Sequence, residues 1–271
     1  MRLHILDNGW ETLDKSFLLA GANIGTAANP NPDIEWVNIP IQAYLIDHED
    51  GYILFDTGCD PNWEKAWPPF ITDQSPYYVR EDQHILNRLH QLGVTPDQIR
   101  YVVISHLHVD HAGNLSHFKN AEIFVNENEF VQTLKGYATG KDLDVHVPSD
   151  IKNFIDARLN WHLLENEVKE YELVKGVTLL NLGSGHSFGM VSMRVDLENS
   201  GSFLIVQDAI YLEENVYPEI KVPGILYDSL GYKRTAKYLV DYAAKHNCKI
   251  LFGHDIVQFG TLRKAPDGYY Q

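Results

Sequence analysis

The sequence predicts one domain of the α/β or α+β class with a β-sheet core, spanning residues 1–271. Three observations predict it. Short apolar, β-rich runs such as YVVIS and FLIVQ recur along the chain, helical patterns lie among them, and no repeat, low-complexity tract or linker divides the chain. A composition of 44% hydrophobic and 22% charged residues is ordinary for a soluble globular protein, and 271 residues can bury a substantial core.

Taken in order, AYLIDHEDGYILFDTG reads as a hairpin joined around Asp50-Gly51. In DQHILNRLHQL (82–92), Ile85, Leu86, Leu89 and Leu92 share one helical face, ended by Gly93. Thr95-Pro96 looks like the N-cap and first position of a short helix before YVVIS. AEIFV reads as a strand, and NENEFVQTL as a helix opened by Asn126 with Glu129 at the capping-box position. VTLLNL, VSMRVDL and GSFLIVQ suggest three strands in series. GYKRTAKYLVDYAAKHN is the clearest helix, with the strand KILF after it. Residues 20–36, rich in Gly, Asn and Pro, and residues 61–79, dense in aromatics and proline, read as long loops of the kind that often carry function.

Composition excludes several classes. No apolar run approaches the roughly 18–20 residues of a membrane span, and the start MRLHILDNGWETLD lacks a secretory h-region, so no membrane association and a cytoplasmic location are expected. Only Cys59 and Cys248 occur, too few for a disulfide framework. A net charge of −15 disfavours nucleic-acid binding, which needs clustered cations.

The chemistry concentrates in SHLHVDHAGN (105–114). His106 and His108 are two residues apart, so an extended backbone turns both to one side. Asp110 and His111 follow where Ala-Gly-Asn suggests a turn opening a helix. Nitrogen and oxygen donors without cysteine suit zinc, or iron, cobalt or manganese. Further candidates share one placement. Asp56, His106, His186, Asp208 and His254 each stand where an apolar strand runs out, and such rims gather catalytic groups on a rigid scaffold.

These residues resemble the metallo-β-lactamase superfamily, whose H-x-H-x-D-H motif stands here as His106, His108, Asp110 and His111. The likeness continues in order through GHS (185–187), Asp208 and GHD (253–255), and covers roughly residues 40–260. It implies an αββα sandwich with a dinuclear metal site at the sheet rim, hence two divalent metal ions per chain. By resemblance, one ion takes His106, His108 and His186, the other takes Asp110, His111 and His254, and Asp208 bridges them. Asp56 of the DTG run would orient a ligand from behind, and also suits a cap on the turn before Thr57-Gly58.

Within the superfamily, SHLHVDHAGN, the DAIY spacing and the FGHDI ending are similar to those of N-acyl-homoserine lactonases, the quorum-quenching branch. That likeness makes Tyr211 a substrate-polarising tyrosine, the alternative being a core aromatic. Two stretches depart from the pattern. SFGM follows His186 where these lactonases usually carry a proline and a second histidine, and LGSGH replaces T-P-G-H. Met190 is expected to fill that gap with apolar bulk, while His146 and His162 are read as surface or packing residues.

The resemblance implies a hydrolase in which a metal-bridging hydroxide attacks a lactone carbonyl, Tyr211 stabilises the oxyanion and Asp110 delivers the leaving group's proton. Trp63, Trp67, Phe70, Tyr77 and Tyr78 would line an acyl channel, or else pack over the core or against another subunit. The partner is a small lactone, and related lactonases are often homodimers. Alternatives are a hydrolase of another lactone, ester or glyoxalase II-like thioester, and a metal-binding protein without catalysis.

Overall fold

A computed structural model describes residues 1–271. The chain runs through strands β1 (Arg2–Asp14), β2 (Trp36–Asp47) and β3 (Tyr52–Phe55), helices α1 (Trp63–Ala66) and α2 (Pro69–Gln74), β4 (Tyr77–Tyr78) and α3 (Ile85–Gln91). Next come β5 (Ile99–Val103), the single turn α4 (Val109–Ala112), β6 (Glu122–Asn126), α5 (Glu127–Thr139), α6 (Pro148–Asp156) and β7 (Asn160–Leu164). The last part holds β8 (Glu170–Val174), β9 (Val177–Leu182), β10 (Met190–Leu197), β11 (Gly201–Gln207), α7 (Ser229–His246), β12 (Cys248–Phe252) and α8 (Ile256–Thr261).

Two sheets form, a seven-stranded one in the order β4-β1-β2-β3-β5-β6-β7 and a five-stranded one in the order β12-β11-β10-β9-β8. Period-two alternation sorts their side chains into layers. In β2, Tyr44 and Ile46 enter the core between the sheets, while Ala43 and Leu45 face the outer core with α3 and α6. In β11, Phe203 and Ile205 meet the first set from the other sheet, while Leu204 and Val206 pack beneath α7. The architecture is therefore helix, sheet, sheet, helix: an αββα sandwich.

Helix α7 follows from its sequence. Asp228 caps it by accepting from the Leu230 and Gly231 amides, and Asn247 closes it in the left-handed region at φ 52°. Tyr232, Ala236, Leu239 and Ala243 repeat at helical spacing and are buried against the five-stranded sheet. Truncating Leu239 to alanine there costs about 2–5 kcal/mol.

The hairpin stands where expected, with Tyr44 opposite Phe55 and Ile46 opposite Ile53. Three features differ from the sequence expectations. The 61–79 segment is not one loop but holds α1, α2 and β4. The helix of the histidine-rich stretch begins earlier, at Val109, so Asp110 and His111 lie inside it. The long first strand went unrecognised because its pairing register slips between Asp7 and Trp10, at a bulge where Gly9 takes φ 93°. The DNG that makes the bulge reads locally as a turn.

Candidate metal centre

One rim of the sandwich collects the ends of strands from both sheets. From the seven-stranded sheet come Asp56 after β3 and the 105–111 segment after β5; from the five-stranded sheet come His186, Asp208 and His254 after β9, β11 and β12. Helix α4 is followed by Gly113 at its C-cap, where a Cβ would lie 2.2 Å from the Asp60 backbone nitrogen, so this position requires glycine. The Thr57 amide and hydroxyl both donate to the His111 carbonyl, at 2.7 and 2.9 Å, pinning the turn that presents Asp110 and His111.

The seven candidate ligands fall into two buried groups. His106, His108 and His186 form one, and Asp110, His111, Asp208 and His254 the other; within each, the ligand atoms lie within 4.8 Å of one another. In the first, His186 Nε2 approaches His106 Nε2 at 3.1 Å and His108 Nδ1 at 2.8 Å. In the second, His111 Nε2 lies 3.0 Å from Asp110 Oδ2, and His254 Nε2 lies 3.0 Å from Asp208 Oδ1. Asp208 faces both ways. Its Oδ2 lies 3.3 Å from His186 Nε2, while its Oδ1 lies 3.2 Å from His111 Nε2.

Three of the five imidazoles are fixed from behind, which settles the nitrogen left free. His111 Nδ1 donates to Asp56 Oδ2 at 2.8 Å and His254 Nδ1 donates to the Pro40 carbonyl at 3.1 Å. Asp56 also accepts from the Ser105 amide, the Ser105 hydroxyl and the Gln207 side-chain amide. It holds φ 62°, a strained value for a non-glycine residue that these bonds stabilise. His186 Nδ1 lies 2.9 Å from the Tyr211 hydroxyl. The buried carboxylate of Glu129 joins three loops, accepting from the Leu107 amide at 2.9 Å, His146 Nε2 at 2.9 Å, the Ser187 hydroxyl at 2.7 Å and the Gly189 amide at 3.2 Å.

Burial and the neighbouring imidazoles hold His106 and His108 well below the usual histidine range, and burial lowers His186 as well. Three neutral rings therefore turn lone pairs toward one point. In the other group, burial would raise Asp110 and Asp208, but the adjacent histidines outweigh it and keep both carboxyls ionised. His111 Nε2 and Asp208 Oδ1, both fully buried, make no hydrogen bond despite their 3.2 Å separation. Converging neutral nitrogens, ionised carboxylates and orphaned buried donor atoms fit a pair of divalent cations.

A cavity of about 430 Å³, its open mouth included, leads to this rim. Leu13, Phe17, Leu18, Ile39 and Ile225 form its apolar side; Glu11, Ser75 and Tyr211 are its polar residues besides the candidate ligands. The aromatics expected along an acyl channel do not line it. Trp67 and Tyr77 are buried with Ile41, Cys59 and Val109 in a small core that Trp63 covers, while Phe70 and Tyr78 lie on the surface at 51% and 47% exposure. Their packing against one another explains the outcome: Trp67 stacks on Tyr77 and meets Trp63 at an angle. Met190 belongs to the core beneath α7, and His162 pairs with Glu122 away from the rim. His146 is buried, its ring centroid 4.4 Å from that of His108.

The sequence reading missed Glu11, Glu129 and Gln207 at this rim. Glu129 looked like a capping-box residue, and its amide does donate to Asn126, but its carboxylate serves the metal-side loops. Glu11 lies in the unrecognised strand.

Comparison with known proteins agrees with the fold. A family model described as the metallo-beta-lactamase superfamily matches residues 37–231, and the chain belongs to that superfamily. It is 37% identical over 273 residues to the N-acyl homoserine lactonase AiiB of Agrobacterium fabrum, covering 100% of this chain and 99% of the relative. It is 33% identical over 254 residues to the N-acyl homoserine lactonase AiiA of Bacillus thuringiensis subsp. kurstaki, covering 92% and 94%. Among solved structures, an N-acyl homoserine lactone hydrolase with the product N-hexanoyl-L-homoserine bound at its catalytic metal centre superposes with a TM-score of 0.81 at 31% identity, covering 99% of this chain and 98% of that one.

Proposed function

We propose that this protein is a metal-dependent lactonase that hydrolyses the ring ester of N-acyl-homoserine lactones. The observation that carries the reading is Asp208 facing both donor groups, with the Tyr211 hydroxyl beside them and lining the same part-apolar cavity. His106, His108 and His186 would hold one ion and Asp110, His111 and His254 the other, with Asp208 shared. The all-nitrogen-and-oxygen set favours zinc. When bound, the ions supply a water acidified toward neutral pH and charge to offset that of the reacting ester.

The chain's own groups supply the rest. With its Nε2 turned to the ligand set, His186 carries its proton on Nδ1 and donates it to the Tyr211 oxygen, leaving the tyrosine hydrogen for an acceptor on the metal side, Asp208 or an incoming substrate carbonyl. Burial pushes the Tyr211 phenol well above its usual value, so it stays a donor. Asp110 Oδ2 faces His111 and His254, and Oδ1 is the oxygen available to take the water's proton and pass it to the departing ring oxygen. One water is consumed: one of its protons ends on the ring oxygen, now an alcohol, and the other leaves to solvent as the new carboxylic acid ionises, both product groups remaining on one molecule.

Metal quantification combined with ring-opening assays tests this. Two ions per chain and turnover of N-acyl-homoserine lactones exceeding that of simple esters and thioesters are expected. A fully loaded protein that opens no lactone but cleaves a thioester would replace the reading.

A further inference from the structure

Among the cavity residues that no donor group uses, Glu11 is the charged one. It extends from β1 and is only 4% exposed. Its one side-chain partner is the Cys59 thiol, a weak donor 3.6 Å from Oε1, and no protein donor reaches its second oxygen. It lines the same cavity as Asp110 and His254, and belongs to neither candidate ligand group. A buried carboxyl without a strong donor is costly unless something else satisfies it. The substrate class proposed above carries one amide N–H beside its lactone ring.

Resting on that lactonase reading, we propose that Glu11 is a specificity-determining residue that accepts the amide N–H of the substrate. A carboxyl group keeps an acceptor oxygen whether or not it is protonated, so the contact does not depend on its titration. The same group disfavours lactones that present only apolar surface there, because they leave it unpaired. Specificity gained this way exceeds what an apolar wall gives, since a substrate lacking the donor strands a buried acceptor.

The test compares N-hexanoyl-homoserine lactone with its ester analogue α-hexanoyloxy-γ-butyrolactone, which replaces N–H by oxygen, on wild type, Glu11→Leu and Glu11→Gln. Wild type should prefer the amide by roughly tenfold in kcat/KM, the effect of one hydrogen bond to a buried acceptor. Glu11→Leu should erase that preference mainly through KM, and Glu11→Gln, which keeps a carbonyl acceptor, should retain part of it. Both variants should keep two ions per chain by elemental analysis. Parallel loss on both substrates, an unchanged preference in Glu11→Leu, or loss of an ion would each overturn the assignment. Wild-type protein that is fully loaded and opens neither compound would instead overturn the lactonase reading itself.

Discussion

The two donor groups sit side by side yet are built on different principles. The first is three neutral imidazoles without a carboxylate of its own, held in place by loops that Glu129 ties together. The second pairs two carboxylates with two histidines and is braced through Asp56, a residue in a strained backbone conformation. A neutral group depends on aim, because soft positioning lets three lone pairs drift apart. A charged group depends on compensation, because its carboxylates need positive partners whatever their exact placement. Asp208 is the joint, with one oxygen toward each.

Substitutions can break or sharpen this contrast. Asp208→Asn removes charge from both groups at once; activity should fall by about 10³-fold or more and ion content below two per chain, by kinetics and elemental analysis. Tyr211→Phe should lower kcat by roughly 10²-fold with both ions kept, the outcome expected of a hydroxyl that acts on substrate and not on an ion. If an ion is lost instead, Tyr211 belongs to the support of His186. Asp56→Asn tolerates the backbone but weakens the grip on His111; the affinity for one ion should drop about 10–100-fold by competitive chelation while the other holds. Glu129→Gln preserves shape and should cost the three-histidine group about tenfold in affinity, the low end for groups behind a ligand. Equal loss of both ions in these last two variants would erase the distinction between the groups.

How much of this was legible in the chain depends on the range of the contacts. The candidate ligands follow strand ends and carry short motifs, so local pattern exposes them: His106 follows YVVIS, Asp208 follows FLIVQ, and His254 follows ILFG. The layered core was legible for the same reason, since VTLLNL and GSFLIVQ are buried along most of their length. The N-terminal strand was not, because its bulge hides the alternation, and Glu11 was lost with it. Edge strand β8 reads EYELV, whose exposed charges mask its pairing with β9. The aromatics of 61–79 announced a buried surface without saying which one. Their fate was set by contacts to Ile41, Val109 and Val147, residues distant in sequence.

The rim also joins two sheets whose shared core is mostly apolar, crossed by a few hydrogen bonds such as that from Asn126 to Asn181. Residues 106–111 come from one sheet and His186, Asp208 and His254 from the other, so ions held between them rivet the halves of the sandwich together. A ligand present at a thousandfold excess over its dissociation constant adds about 4 kcal/mol to the folded state. Here that energy acts at the seam between the sheets, so chelation should accelerate amide exchange at the ends of β5, β9, β11 and β12 before it loosens the helices outside. The catalytic metals would then also govern how long the protein survives heat and proteolysis.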